Sequence, residues 1–336
     1  MQKTAVVLIN LGTPLSYRPC DVKAYLHEFL LDPKVLDLPS WLRYFLVKAV
    51  IVPGRYRQSA LAYQTIWQKQ GSPLLIHTQA MASQLQKVLG DTFIVDSAMR
   101  YQKPSIQETL QRLQPLPLKK LVIIPLFPQY AAATTGSICE EVFNHLKAWP
   151  TLPSLKIVNT FYDHPQLIKT FASIAASYPL SSYDHVVISF HGLPEKHIKK
   201  ADPHRLCLTK NNCCKTLSSC NAHCYSAQCY AMAHAIASTL KLSSDRYSIG
   251  FQSRLGKDPW LTPSTSDILQ KLPRLGKKNI LVMAPSFVGD CLETLYEIGI
   301  EYDHLFQNYG GTKLTLMRGL NDDPLWIKTL QTLVLD

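Results

Sequence analysis

The sequence predicts an α/β protein built on two parallel sheets of four strands each, flanked by helices. Three observations carry the prediction. Eight short apolar runs rich in β-branched residues recur along the 336 residues, at 4–9, 93–98, 121–126, 155–158, 185–190, 247–251, 280–284 and 314–317. Segments of helical composition separate them, and each run is continuously apolar rather than alternating, as strands covered on both faces are. The length is more than twice a typical domain of about 150 residues, which favours two open sheets of four over one small module. With 46% hydrophobic and 18% charged residues, a sizeable core can form.

Taken in order, the first run ends in a Gly12-Thr-Pro14 turn signal and is too short for a signal peptide, so it reads as a first strand in the cytosol. Segment 36–58 alternates Leu38, Trp41, Leu42, Phe45, Leu46, Val50 and Ile51 with Arg43, Lys48, Arg55 and Arg57. Such a basic amphipathic helix packs on a core, covers a flat hydrophobic anion, or lies at a membrane interface. Its longest apolar stretch, 44–53, is broken by Lys48 and is too short to span a bilayer. The second run leads into Met99-Arg-Tyr101, and the third into Pro125-Leu-Phe-Pro-Gln-Tyr130 and then Thr134-Thr-Gly-Ser137. Proline-containing turns at 149–153 and 162–165 are where the chain is expected to cross between halves, giving domains 1–160 and 161–310. A final strand and helix, 311–336, are expected to pack back on the first half.

In open α/β sheets, ligands sit beyond the C-terminal ends of the strands, so the residues just after each run are the candidates for function. The fifth run ends in His191-Gly-Leu-Pro194, the sixth in Gln252-Ser-Arg-Leu-Gly256 with Pro259-Trp260, and the seventh in Pro285-Ser-Phe-Val-Gly-Asp-Cys-Leu-Glu-Thr294. A neutral His191 there would bind a metal or accept a proton; the alternative is an imidazole hydrogen-bonded under a turn. Glu293, Glu297 and Glu301 recur every four residues after Asp290, on one face of a helix. Like charges so placed cost about 0.2–0.5 kcal/mol per pair unless a cation or bound protons compensate. The row is either a solvated acidic face or a proton-accepting path away from a metal site.

Six of the nine cysteines, Cys207, Cys213, Cys214, Cys220, Cys224 and Cys229, fall within 23 residues. Without an export signal, that density points to metal before disulfide. No pair of Cys-x-x-Cys knuckles is present, so zinc, an iron–sulfur cluster and reduced structural thiols all remain readings of the segment, with His223 as a further donor. The formal net charge of +11 is spread without long blocks of one sign, which argues against a nucleic-acid tail. No Gly-x-Gly-x-x-Gly follows the first strand, and Walker and Gly-x-Ser-x-Gly motifs are missing, so dinucleotide, nucleotide and serine-hydrolase chemistry lose support.

Seven strings in sequence then resemble one family. They are Ile9-Asn-Leu-Gly-Thr-Pro14; Ile66-Trp67 with Gly71-Ser-Pro73; Ala98-Met-Arg-Tyr101; Pro128-Gln-Tyr130 with Thr134-Thr-Gly-Ser137; Ser189-Phe-His-Gly-Leu-Pro194; Phe251-Gln-Ser-Arg-Leu-Gly256 with Pro259-Trp260; and Cys291-Leu-Glu-Thr-Leu-Tyr-Glu297. Together they look like ferrochelatase, from residue 4 to about 318.

The resemblance implies two Rossmann-like, chelatase-type halves with a cleft between them, and a lyase that inserts Fe²⁺ into a porphyrin, protoporphyrin IX or coproporphyrin III, in haem biosynthesis. It implies catalytic roles for His191, Glu293 and Glu297, with His191 and Glu293 meeting the substrate iron. Met99, Arg100, Tyr101, Tyr130, Trp260 and Leu11, with the 36–58 lip, fall where the family holds the porphyrin. Cys291 stands where many members carry histidine. Insertion itself needs no cofactor. Some members hold a two-iron, two-sulfur cluster, for which Cys213, Cys220, Cys224 and Cys229 are the first ligand set here, with Cys207 and Cys214 as substitutes. Porphyrin and ferrous iron are the implied partners, with no nucleic acid, and the amphipathic 36–58 segment leaves peripheral membrane contact as one of its readings. Two rival readings are a chelatase for another tetrapyrrole and metal, such as cobalt, and a non-catalytic carrier, although a carrier needs no proton acceptor.

Overall fold

A computed structural model describes residues 2–209, 212–254, 256 and 258–336; Leu255 of the Gln252–Gly256 string lies outside the described residues. The chain forms two compact units. The first comprises Met1–Phe127, Ala131–Asn159 and Asn321–Asp336; the second comprises Pro128–Tyr130 and Thr160–Leu320.

The first unit carries strands β1 (Lys3–Gly12), β2 (Phe93–Tyr101), β3 (Leu118–Pro125) and β4 (Ser154–Ile157), all parallel, in the order β2-β1-β3-β4. The central strands are apolar on both sides because helices cover both faces; Ala5, Val6, Val7, Leu8 and Ile9 are all buried. Ala5, Val7 and Ile9 form one core with Leu121, Ile123 and, from the covering helices, Leu110, Ile138 and Val142. Gly12 closes β1 at φ +129°, and a Cβ there would lie 2.2 Å from the Tyr101 carbonyl oxygen, so only glycine lets the ends of β1 and β2 run side by side.

The second unit repeats the topology with β5 (His185–His191), β6 (Tyr247–Gln252), β7 (Asn279–Met283) and β8 (Lys313–Leu316), in the order β6-β5-β7-β8. Its core joins Val187, Ile280, Val282 and Leu314 to Leu269, Ile298 and Phe306. In both sheets the chain leaves the first strand toward one neighbour and then crosses to the other side. That reversal puts a switch point beside the C-terminal ends of β1 and β5, where α/β sheets bind ligands.

The tail differs from the expectation in one respect. Strand β8 completes the second sheet, and only Asn321–Asp336 joins the first unit. There the helix Pro324–Leu335, capped by the Asp323 side chain, buries Trp326 completely. The Trp326 indole N–H points at Met81 Sδ (3.3 Å), and Lys156 Nζ donates to the Leu333 carbonyl (2.8 Å) at the helix end.

Among the described residues, three helical segments are π-helical, with i→i+5 hydrogen bonding: Leu46–Ile51, Ala132–Gly136 and Glu293–Tyr302. They coincide with the lip, the Thr134-Thr-Gly-Ser137 string and the acidic row. No helix among the described residues is long and apolar enough to cross a membrane.

Candidate active site

His191 is the last residue of β5, at the switch point of the second sheet. Its N–H donates to Ser286 Oγ (3.1 Å) and its carbonyl accepts from Tyr225 Oη (2.7 Å), while those two hydroxyls lie 3.2 Å apart. Ring atom Nδ1 is 2.6 Å from the Gly192 carbonyl oxygen. A carbonyl only accepts, so Nδ1 carries a proton, and in that tautomer of the neutral ring Nε2 has the lone pair that a metal or a proton would take. The ring meets Phe287 edge to face, with centroids 6.1 Å apart. Gly192 is required by packing: a Cβ would lie 2.8 Å from the Gln252 carbonyl oxygen.

After the neighbouring β7, the chain turns into the π-helix that carries the acidic row. Glu293 and Glu297 are half-buried and Glu301 is exposed, while Thr294 and Ile298 take the buried side. Glu297 is held by hydroxyls on both oxygens. Ser253 Oγ lies 2.6 and 2.9 Å from them, Tyr302 Oη donates to Oε1 (3.0 Å), and Gln252 Nε2 approaches Oε2 (3.4 Å). The same amide also donates to the Glu293 carbonyl (3.0 Å), tying the start of the row to the end of β6. Ser253 reaches Glu297 from a left-handed backbone at φ +63°. Although Glu301 is exposed by surface area, partial desolvation of its carboxyl, then the Glu297 charge, holds it above its ordinary range, and burial with the same charge suppresses ionisation of Tyr302. Burial and the adjacent Glu293 likewise keep Cys291 a thiol. Asp290, at the head of the spacing pattern, is buried and accepts from the Gly319 N–H (3.0 Å), so it anchors the loop rather than extending the row.

In the first unit, Met99, Arg100 and Tyr101 close strand β2. Met99 and Tyr101 are fully buried, because their shared side of the strand faces the core. The Arg100 guanidinium lies 4.6 Å over the Tyr101 ring, pairs with Asp32 Oδ2 (3.0 Å), and donates through Nε to Ser137 Oγ (2.7 Å). Asp32 Oδ2 also accepts from Tyr101 Oη (2.9 Å) and Ser137 Oγ (2.5 Å), while Oδ1 accepts the Lys34 N–H (2.7 Å). These residues anchor the base of the lip instead of presenting a free cation. Burial, then the Asp32 carboxylate, keeps the Tyr101 phenol protonated far above its usual range. Within the lip, Val47 and Val52 are buried, whereas Trp41 (73% exposed), Tyr44, Phe45 and Val50 face solvent. Arg43 Nη1 donates to the Leu38 carbonyl (2.7 Å), so this cation is structural. Leu11 is partly buried on the first core.

Tyr130 and Trp260, both in the second unit, are half-buried. The Tyr130 N–H donates to Gln228 Oε1 (2.9 Å), and Trp260 bridges antiparallel to Pro194, close after His191.

The cysteine-rich segment gathers a different set from the one expected first. Among the described residues, the buried thiols of Cys207, Cys214 and Cys224 lie within 4.8 Å of one another, and Cys213 Sγ is 3.4 Å from Cys214 Sγ. Cys220 is exposed. Cys229 is wholly buried one helical turn beyond Cys224 and faces Tyr225, which removes it from the group. Burial pushes the Cys207 thiol up to about 12, and hydrogen bonding with Cys224, then burial, raises Cys214 further. Such thiols ionise when a cation replaces the missing positive charge. Spacing did not reveal the set, because the turns at 203–209 and 212–221 decide which sulfurs converge. Ser253, Tyr302, Tyr225 and Asp32 were also missed; they are ordinary residue types whose significance is their partners.

A family model described as Ferrochelatase matches residues 3–336. Similar curated proteins include a Ferrochelatase of Legionella pneumophila, 43% identical over 99% of this chain and 98% of its own length. Others come from Bdellovibrio bacteriovorus, 41% identical over 99% of both chains, and Coxiella burnetii, 40% identical over 98% of this chain and 92% of its own. Among solved structures, SirB from Bacillus subtilis with Fe³⁺ superposes with a TM-score of 0.56 at 10% identity, covering 99% of this chain and 95% of its own. A sirohydrochlorin chelatase SirB from Bacillus subtilis subspecies spizizenii in complex with cobalt gives 0.52 at 10% identity, over 98% and 93%. At that identity these structures speak to the fold alone.

Proposed function

The chain belongs to the ferrochelatase family, and from that premise we propose which of its residues carry the family's reaction. The reaction inserts ferrous iron into a porphyrin in haem biosynthesis. Two pyrrole N–H bonds break, two protons leave, and four nitrogen lone pairs bind an iron that stays ferrous, so no redox cofactor is consumed. The cobalt-type chelatase and the carrier are not favoured beside full-length relatives named Ferrochelatase.

In this reading His191 Nε2 takes a pyrrole proton or holds the arriving iron. Glu293 accepts charge and passes protons along the row to Glu297. The supporting observation is the pairing of roles on adjacent strands. A histidine with one nitrogen committed to the Gly192 carbonyl ends β5, and a carboxylate row follows β7 with its second member held ready by Ser253 and Tyr302. Deprotonation is favoured where a base of suitable basicity is prepositioned. Within the second unit, Tyr130 and Trp260 supply apolar contact for the macrocycle; in the first, Arg100 fixes the base of the lip. His191→Ala is expected to lose insertion of Fe²⁺ into both protoporphyrin IX and coproporphyrin III while still binding porphyrin; ordinary turnover by this variant refutes the assignment. The preferred substrate is the one with the higher kcat/KM in the wild-type assay.

The buried thiols of Cys207, Cys214 and Cys224, with Cys213 beside them, suit a two-iron, two-sulfur cluster in donor type and proximity. A bound cluster would supply an electron-transfer or sensing capacity that insertion does not use, and these four residues would hold it. Protein purified without oxygen should show visible sulfur-to-iron charge-transfer bands, which Cys214→Ser removes. A colourless protein holding zinc, or no metal, overturns the cluster. We place the enzyme in the cytoplasm, with the lip resting on the surface of an anionic membrane.

A further inference from the structure

The helix Tyr225–Thr239 contributes no group to the proposed proton route, yet its first turn touches the backbone at two of the site residues. Tyr225 is buried, and its hydroxyl donates to the His191 carbonyl (2.7 Å). It also lies 3.2 Å from the Ser286 hydroxyl, which accepts the His191 N–H (3.1 Å). One hydroxyl therefore engages one backbone group of His191 directly and the other through a single serine. Three residues on, Gln228 is 1% exposed; its Oε1 accepts the Tyr130 N–H (2.9 Å) and its Nε2 donates to the Ala222 carbonyl (2.8 Å). A phenylalanine and a leucine would fill these buried positions without the cost of desolvating polar groups. The polar atoms are explained by what they hold.

We propose that Tyr225 is a positioning residue for His191 and Gln228 a positioning residue for Tyr130. The inference rests on His191 acting as described above. Neither side chain meets a reacting atom. Tyr225 sets the backbone from which the imidazole is aimed, and Gln228 sets the backbone of a residue assigned to the porphyrin. Misplacement by about 1 Å at a reacting group can cost on the order of 100-fold in rate. Without the phenol, the His191 carbonyl loses its partner and the Ser286 hydroxyl is free to turn away from the His191 N–H.

The test separates positioning from packing. Tyr225→Phe keeps the ring and is expected to lower kcat about 10- to 100-fold while porphyrin KM stays within about 2-fold. Gln228→Leu is expected to raise porphyrin KM several-fold with kcat nearly kept. Hydrogen exchange of the full-length protein should accelerate at the His191 and Gly192 amides in Tyr225→Phe but stay unchanged along 229–239. Ser286→Ala, which leaves Tyr225 in place, should shift kcat and exchange in the same direction by less, and it serves if Tyr225→Phe does not fold. Wild-type kcat and exchange overturn the proposal, as does a loss of kcat accompanied by faster exchange along the whole helix. If His191→Ala turns over normally, the catalytic reading fails, and the exchange data still report whether Tyr225 holds the strand end.

Discussion

Two histidines mark the ends of β5, and their surroundings set them to different work. His191 ends the strand with Nδ1 committed to a carbonyl. His185 begins it, buried, with Nε2 2.8 Å from Ser248 Oγ, and burial followed by the charges of Lys277 and Arg246 pushes its pKa down to about 4. The folded chain therefore keeps His185 neutral where the unfolded chain, at the ordinary value near 6.5, takes a proton. Between those values the unfolded state binds more protons, so stability is full above about pH 6.5 and is lost as pH falls toward 4. The loss amounts to about 3 kcal/mol at most. Urea midpoints at pH 7.5 and pH 5 are expected to differ more in the wild type than in His185→Gln; equal differences refute this.

Among the elements, the lip places its aromatic residues outward. Trp41, Tyr44 and Phe45 are exposed beside Lys48, Arg55 and Arg57, with Lys48 over the Tyr44 ring and Arg57 over Tyr56. Apolar contact plus about 1 kcal/mol per cation near an anionic surface predicts sedimentation with phosphatidylserine vesicles at low salt. Binding should weaken as salt rises, and Trp41→Ser with Lys48→Glu should abolish it; equal binding to neutral vesicles refutes the electrostatic part. The strands were legible as short apolar runs: the central ones, buried on both faces, are unbroken and β-branched, while the edge strands β4 and β8 are four-residue runs that are partly exposed. The positions of His191 at a strand end and of the acidic row after β7 were legible for the same reason, since the strand runs fix where each strand stops. The π-helical register was not legible: a four-residue spacing of glutamates is compatible with either hydrogen-bond pattern. The burial of Met99 and Tyr101 was not legible either, because a string marks a place in a fold without saying which side chains face inward. Cys229 misled because an α-helix carried it away from sulfurs close to it in sequence.

At the scale of the whole molecule, the two sheets share one strand order but differ in how the chain completes them. The second unit draws nearly all its residues from one stretch, Thr160–Leu320, whereas the first closes only with Asn321–Asp336. Trp326 is the largest fully buried side chain in that closing segment. Its replacement by alanine is expected to cost about 3–5 kcal/mol. Calorimetry should show the first unit's transition moved down and the second's left in place; a common shift of both would contradict independent units.

A returning helix also dictates an order of events at the ribosome. The earliest residues to emerge belong to a half that stays unsealed, with the groove awaiting Trp326 uncovered, while the later half has its whole stretch available first. Nascent chains of this protein should thus recruit chaperones to their N-terminal portion until the last helix is made, and stalling translation just before Pro324 should leave that portion sensitive to protease.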